Sequence, residues 1–261
     1  MSALRVERDG PLLRITLARP ERRNAFDASL IAELADAFAG VGEARAVVLA
    51  GEGPSFCAGA DVEWQRASID LSYDENVADA MRLYRMCEAI DTCPAPVVAR
   101  VQGYALGGGS GLVACGDVAV AAPDAVFAFS EVRLGIVPAV ISPFVLAKIG
   151  PAAARRYFLT GERFGAEAAL RIGLVHEVAA GLDSAVESVL QGLLASGPQA
   201  VREAKRLVRE QPRGEALGHL AARMRTSPEG QEALRAFLEK RPARLPDGTV
   251  FGVYAGRPDG S

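Results

Sequence analysis

The sequence is poor in histidine and tryptophan, with only His176, His219 and Trp64. Histidine-cluster mechanisms therefore lack parts, and with no H-E-x-x-H or H-x-H a histidine-ligated metal is not expected. The four cysteines, Cys57, Cys87, Cys93 and Cys115, form no C-x-x-C pair, and the opening segment carries several charges and no long apolar run. Neither a disulfide framework nor a secretory leader is expected, and the predicted setting is a reducing, cytoplasm-like compartment. No uncharged apolar stretch reaches the roughly 18 residues of a membrane span. Charge of one sign is scarce too: 29 Lys and Arg face 32 Asp and Glu, a net charge of −3 without a concentrated basic run. Nucleic acid is accordingly not an expected partner.

What is present suffices for a large core. Half of the 261 residues are apolar and 23% are charged, which fits one sizeable α/β domain with an appended helical segment. Leu13, Ile15 and Leu17 alternate with Leu12, Arg14 and Thr16, the pattern of a half-buried first strand. Leu30, Ile31, Leu34 and Phe38 then share a helical face, with Asp27 ahead of it and Gly40 placed to end it. The run Ala46 to Ala50 is continuously apolar, as in a strand covered on both faces of a parallel sheet, and similar runs lie at Pro96 to Val101, Val118 to Ala122 and Val126 to Phe129. Ser72 and Glu75 have capping-box spacing for a helix from Tyr73 to about Ile90, and another helix is predicted near Gly107. Only Pro123-Asp124-Ala125 separates two of the strands, too few residues for a helical crossover, so a unit of two strands and one helix is expected.

Beyond Pro151 helices dominate: Ala152 to Leu159, Ala166 to Ile172, Leu182 to Ala195, Pro198 to Glu210, Glu215 to Met224 and Glu229 to Lys240. The predicted organisation is a mixed core over 1–195, a helical segment over 196–250 and a Pro- and Gly-containing surface tail over 251–261. No Ser/Gly linker separates the helical segment, which reads as a packed extension or oligomer contact.

Nucleotide motifs fail. There is no G-x-x-x-x-G-K-[ST], and Gly107, Gly108, Gly109 and Gly111 do not spell G-x-G-x-x-G. Ser110 misses the G-x-S-x-G nucleophile elbow at its last glycine. Two glycine-containing turns remain after buried strands, Ser55-Phe-Cys-Ala-Gly-Ala-Asp61 and Gly103-Tyr-Ala-Leu-Gly-Gly-Gly109. Each leads into a helix N-terminus, where amides without intrahelical partners face negative charge, so two such ends brought together could hold an oxyanion. The alternative is that the glycines serve only tight turns and close packing.

The stretches Arg19-Pro-Glu-Arg-Arg-Asn-Ala-Phe26, Phe56-Cys-Ala-Gly-Ala-Asp61, Gly103 to Gly109, Phe129-Ser-Glu-Val-Arg-Leu-Gly-Ile-Val-Pro138, Leu159-Thr-Gly-Glu-Arg-Phe164, Ala169 to His176 and Ala236 to Arg241 run in order along nearly the whole chain. Together they resemble the enoyl-CoA hydratase/isomerase, or crotonase, superfamily. The resemblance implies an α/β fold, a crotonase-like spiral of β-β-α units with a C-terminal helical oligomerisation segment forming homotrimers or homohexamers. It implies an acyl-CoA thioester as substrate, with no metal, nicotinamide or flavin, and an oxyanion hole made by the amides at Ala60 and Gly108. Such a hole acts by holding the developing enolate oxygen more strongly than the ground-state carbonyl.

Family hydratases usually carry two catalytic glutamates. At the two matching positions this sequence has Gly111 and Glu131. Glu131 is the candidate acid/base, with a structural pairing to Arg133 as its alternative. One carboxylate serves either a hydration or a proton shift between Cα and Cγ, so hydratase and Δ3,Δ2-enoyl-CoA isomerase are both open, as is a non-catalytic CoA-binding member. The segments around Gly111 and Glu131 look like bacterial methylglutaconyl-CoA and related branched-chain hydratases. On that reading Gly111 leaves room for a β-branch or substrate carboxylate, with Arg133 as a conceivable partner for the latter. For the CoA portion the matching positions are Arg22, Arg23, Ala58, Gly59 and Val62, with Phe237 and Lys240 reaching it from a neighbouring subunit. Asp61 reads as a helix N-cap, Cys57 and Cys115 as small buried residues, His176 as structural, and Tyr104 as cover for the second turn.

Overall fold

The computed structural model describes residues 3–255. Its main sheet has six strands in the order β1 (Leu4–Asp9), β2 (Leu12–Leu17), β3 (Ala46–Gly51), β4 (Val97–Val101), β6 (Val118–Ala121) and β9 (Glu177–Val178). Only the β1–β2 pair is antiparallel. A smaller sheet joins β5 (Tyr104–Leu106), β7 (Val126–Ala128) and β8 (Phe164–Gly165). Because β4 runs into β5, and β6 into β7, each turn of chain gives one strand to each sheet before its helix. Two isolated bridges, Phe26 to Ala60 and Cys57 to Ala105, continue the second layer where no full strand forms. This is the predicted β-β-α spiral.

The continuous apolar runs are explained by which core each residue enters. On β3, Val47 and Leu49 join a large cluster with Leu30, Leu34 and Phe38 of α1 (Ala28–Ala39), while Ala46 and Val48 join a second cluster with Leu182, Val186 and Leu190 of α7 (Leu182–Leu194). Period-two alternation therefore distributes apolar side chains between two cores, and polar positions would be buried on either face.

The caps act as the sequence indicates. Asp27 accepts the Leu30 amide at 3.0 Å, and Ser72 with Glu75 forms a reciprocal capping box on α3 (Tyr73–Asp91). α2 (Val62–Ala67) and α4 (Gly108–Cys115) follow the two glycine turns, and α5 (Ser142–Thr160) and α6 (Ala166–Arg171) complete the core. The C-terminal helices are α8 (Pro198–Glu210), α9 (Glu215–Thr226) and α10 (Pro228–Leu238). Lys205 of α8 fastens this segment to the core, its ammonium 2.7 Å from Asp117 Oδ2 and 3.3 Å from the Ala95 carbonyl.

Three expectations need correction. The first strand is β1, not β2: only Leu4 of β1 is buried, so no apolar alternation announces it. α5 begins ten residues before the predicted start, because Gly150 at φ +69° and Pro151 kink the helix rather than open it. The 251–261 segment does not start as surface tail. Val250–Phe251 forms β11 against β10 (Ala243–Arg244), with Phe251 buried, and the rest beyond Ala255 lies outside the described residues. No helix among the described residues is long and apolar enough to cross a membrane.

Candidate active site

The two glycine turns meet in space. In the first, Phe26 N–H donates to the Gly59 carbonyl and Asp61 N–H donates to the Phe26 carbonyl, both at 2.9 Å, which leaves the Ala60 amide turned away from Phe26. In the second, Gly107 at φ +52° bends the chain into α4, placing Gly108 at the first helical position. Among the described residues neither the Ala60 nor the Gly108 amide has a hydrogen-bond acceptor. The turns nearly touch: a Cβ built on Gly59 would lie 2.6 Å from the Leu106 carbonyl oxygen and 3.8 Å from Gly108 N.

Phe26 braces both turns. Its backbone carries the bridge to Ala60, and its buried ring packs so closely on the second turn that a Cβ on Gly108 would fall 2.3 Å from Cζ. Asn24 anchors the same segment, its side-chain amide donating to the Glu52 and Ser55 carbonyls at 2.9 and 2.8 Å and its Oδ1 accepting from Arg19 N–H at 2.9 Å. Neither role is visible in composition or periodicity.

Glu131 opens a single 3-10 turn after β7 that closes on Gly135. Its carboxyl lies against the second turn, with Oε1 3.4 Å from where a Gly107 Cβ would be. Oε2 is buried and has no hydrogen-bond partner. Burial pushes the acid's pKa up and outweighs the opposing hydrogen bond from its own backbone amide. A half-buried acidic side chain with a buried, unused oxygen, set against the turn that presents one of the two unused amides, is a poor design for stability and a good one for proton transfer.

That arrangement has a measurable cost. Glu131 releases its proton at higher pH in the folded chain than in the unfolded one, so between the two values the folded state holds more protons and stability falls as pH rises through that window. Glu131→Gln is therefore expected to melt higher than the parent at about pH 8, with the advantage fading below about pH 4, where the unfolded-state carboxyl is also protonated. Calorimetry at both pH values checks this; an equal difference at both would contradict it.

The turns and Glu131 line a cleft of about 420 Å³ shared with Phe26, Trp64, Leu83, Ile136 and Ile141, and with Asp79 of α3. Arg22 is ion-paired to Asp61 at 3.1 Å, while Asp61 caps α2 by accepting the Glu63 amide at 2.9 Å. Arg23 lies 5.7 Å from the Tyr104 ring centroid and its carbonyl accepts the Ala58 amide at 2.9 Å, while Val62 is exposed at the start of α2. Arg22, Arg23 and Val62 thus lie around the first turn, whose Ala58 and Gly59 line the cleft. Phe237 and Lys240 lie at the end of α10, with Phe237 exposed.

Two site expectations are corrected. Gly111 does not open a space into the cleft: a Cβ there would sit 2.5 Å from Ile141 Cγ2, so Ile141 fills the volume and presents an apolar wall instead of a second carboxylate. Arg133 does not reach the cleft. Its guanidinium donates to the Thr160 carbonyl at 3.4 Å and its stem lies over Gly161, and Glu131 makes no ion pair with it. The other polar candidates are structural. Ser110 Oγ donates to the Ala105 and Ala128 carbonyls, His176 Nδ1 accepts the Ala119 amide at 3.0 Å, and burial pushes the Cys57 thiol up to about 12.

Fold and cleft together define an α/β spiral protein whose candidate site brings together two free main-chain amides and one half-buried acid. A sequence profile described as "Enoyl-CoA hydratase/isomerase" matches residues 7–247. The chain is 38% identical to an enoyl-CoA hydratase from Shewanella pealeana ATCC 700345, whose crystal structure superposes with a TM-score of 0.86 over 92% of this chain and 94% of that one. It is 37% identical to Pseudomonas aeruginosa AtuE, with a TM-score of 0.88 over 92% of this chain and 98% of that one. Enoyl-CoA hydratase AKT6-1 of Alternaria alternata is 34% identical over 208 residues, 77% of this chain and 68% of the relative. The chain belongs to the enoyl-CoA hydratase/isomerase family, within the crotonase superfamily, and is an enzyme of that family.

Proposed function

We propose that the protein is an enoyl-CoA hydratase using Glu131 as its single acid/base. The observation that carries this reading is the half-buried Glu131 carboxyl, its Oε2 buried and without a hydrogen-bond partner, beside the turn that presents the Gly108 amide. The thioester oxygen of the substrate accepts hydrogen bonds from the Ala60 and Gly108 amides. Ionised Glu131 takes a proton from water as the water oxygen bonds to Cβ, and the π electrons move onto the thioester oxygen as an enolate. The amides hold that charge, and protonated Glu131 then gives its proton to Cα, restoring the carbonyl and leaving a 3-hydroxyacyl-CoA. Fixed donors act here because they need not reorganise as charge develops.

The β-branched, methylglutaconyl-like acyl chain rests on the likeness of the segments around Gly111 and Glu131, with Gly111 offering it room and Arg133 a partner. Neither Gly111 nor Arg133 lines the cleft, so the branch forms no part of the proposed substrate. CoA is placed along Arg22, Arg23, Ala58, Gly59 and Val62. Assembly as a homotrimer or homohexamer through the C-terminal helices is supported by Leu234, Phe237 and Leu238, which α10 leaves exposed.

A second reading, enoyl-CoA isomerisation, is favoured by the apolar Ile141 wall where a second acid would stand. Ultraviolet absorbance separates the two. Hydration is expected to erase the absorbance of a conjugated 2-enoyl-CoA, with mass spectrometry showing the gain of one water. Appearance of conjugation from a 3-enoyl-CoA without water uptake would support the isomerase instead, and no change with either would overturn both.

A further inference from the structure

The wall of the cleft formed by α3 carries a residue that neither catalysis nor helix formation requires. Asp79 lies on the face of α3 that also gives Asn76, Ala80 and Leu83 to the cleft wall. It is only 8% exposed, although charged residues on a surface helix normally face water. Its Oδ1 accepts from the Arg82 guanidinium, and Arg82 lies on the flank of the helix, half exposed and outside the cleft lining. The charged side chains lining the cleft among the described residues are therefore Asp79 and Glu131, both acidic, with no Lys, Arg or His.

We propose that Asp79 is a specificity-determining residue that keeps acyl chains ending in a carboxylate out of the cleft and leaves it to uncharged chains. An anion entering this wall would shed water, meet like charge at Asp79 and find no cation lining the wall to replace its hydration. The Arg82 counter-charge lies toward solvent, where screening weakens its reach into the cleft. An uncharged chain instead gains burial against Leu83, Trp64 and Ile141. This inference deepens the proposed function, naming the substrate class of the same cleft.

Binding of saturated thioesters tests it without relying on turnover. Pentanoyl-CoA and glutaryl-CoA have acyl chains of equal length and differ in a terminal carboxylate. By calorimetry the parent is expected to bind pentanoyl-CoA at least about tenfold more tightly, the scale of one unpaired buried charge being large enough for this. Asp79→Asn is expected to shrink that ratio at least about fivefold, whatever it does to either affinity alone. Arg82→Gln, which breaks the helix pair but keeps the Asp79 charge, is expected to hold or widen the ratio. A parent that binds glutaryl-CoA as well as or better than pentanoyl-CoA would overturn the proposal, as would an unchanged ratio in Asp79→Asn or a ratio that falls in Arg82→Gln. If neither thioester binds, the proposed function fails as well. If both bind but no enoyl-CoA is turned over, the proposed function fails while the selectivity stands.

Discussion

Glu131→Gln is expected to lower kcat for hydration by about 10²- to 10⁴-fold, the usual contribution of a positioned acid–base group. Glutamine keeps the size and one acceptor of the side chain but cannot take a proton from water or return it to Cα. Because Oε2 has no protein partner, the substitution breaks no hydrogen bond at that atom. Affinity for a saturated acyl-CoA should therefore stay within about a factor of three, so that the loss falls on kcat and not on binding. Steady-state kinetics paired with calorimetry would show it. A kcat reduced by less than about tenfold would remove Glu131 from the chemistry.

The second large effect concerns a methyl group. Gly108→Ala places a Cβ where the Phe26 ring already stands, 2.3 Å from Cζ, so either the ring or the turn must move. The turn carries the Gly108 amide, and losing one such donor costs about 3 kcal/mol, a rate reduction of at least about 100-fold. Phe26→Leu removes the obstructing ring and leaves the backbone bridge to Ala60. In the Gly108→Ala background it is expected to restore part of the rate, giving a strongly non-additive cycle. Near-parental activity in Gly108→Ala would show that the Phe26 ring gives way and the turn stays in place. Simple addition of the two losses would show that the ring does not position the turn.

The parts of this molecule readable in the sequence are those where local pattern and tertiary role agree. Ser72 with Glu75, Asp27 before α1, and the doubly apolar run of β3 each state locally what the fold then uses. β1 escaped because a strand with one buried residue has no period to detect. Gly111 misled for a different reason. A missing side chain reads as space, yet the space is claimed by Ile141 at the entry to α5, a contact set by how two helices pack. Asp79 carries no local signal because a charge on a helix is normally a solvated one, and only the folded chain shows it turned toward the cleft. The two turns and Glu131 are separate segments in local pattern, and in the sequence only the family resemblance joins them. Their meeting depends on the spiral register, through the bridges of Phe26 to Ala60 and Cys57 to Ala105.

Loss of activity alone does not show what the amides do. The account requires that they polarise the thioester carbonyl before any proton moves, and isotope-edited infrared spectroscopy of a bound acyl-CoA labelled with ¹³C at that carbon reads this directly. The carbonyl stretch is expected to move to lower frequency on binding, to keep that shift in Glu131→Gln, and to lose most of it in Gly108→Ala. A bound carbonyl vibrating at its free-solution frequency in the parent protein would contradict the account.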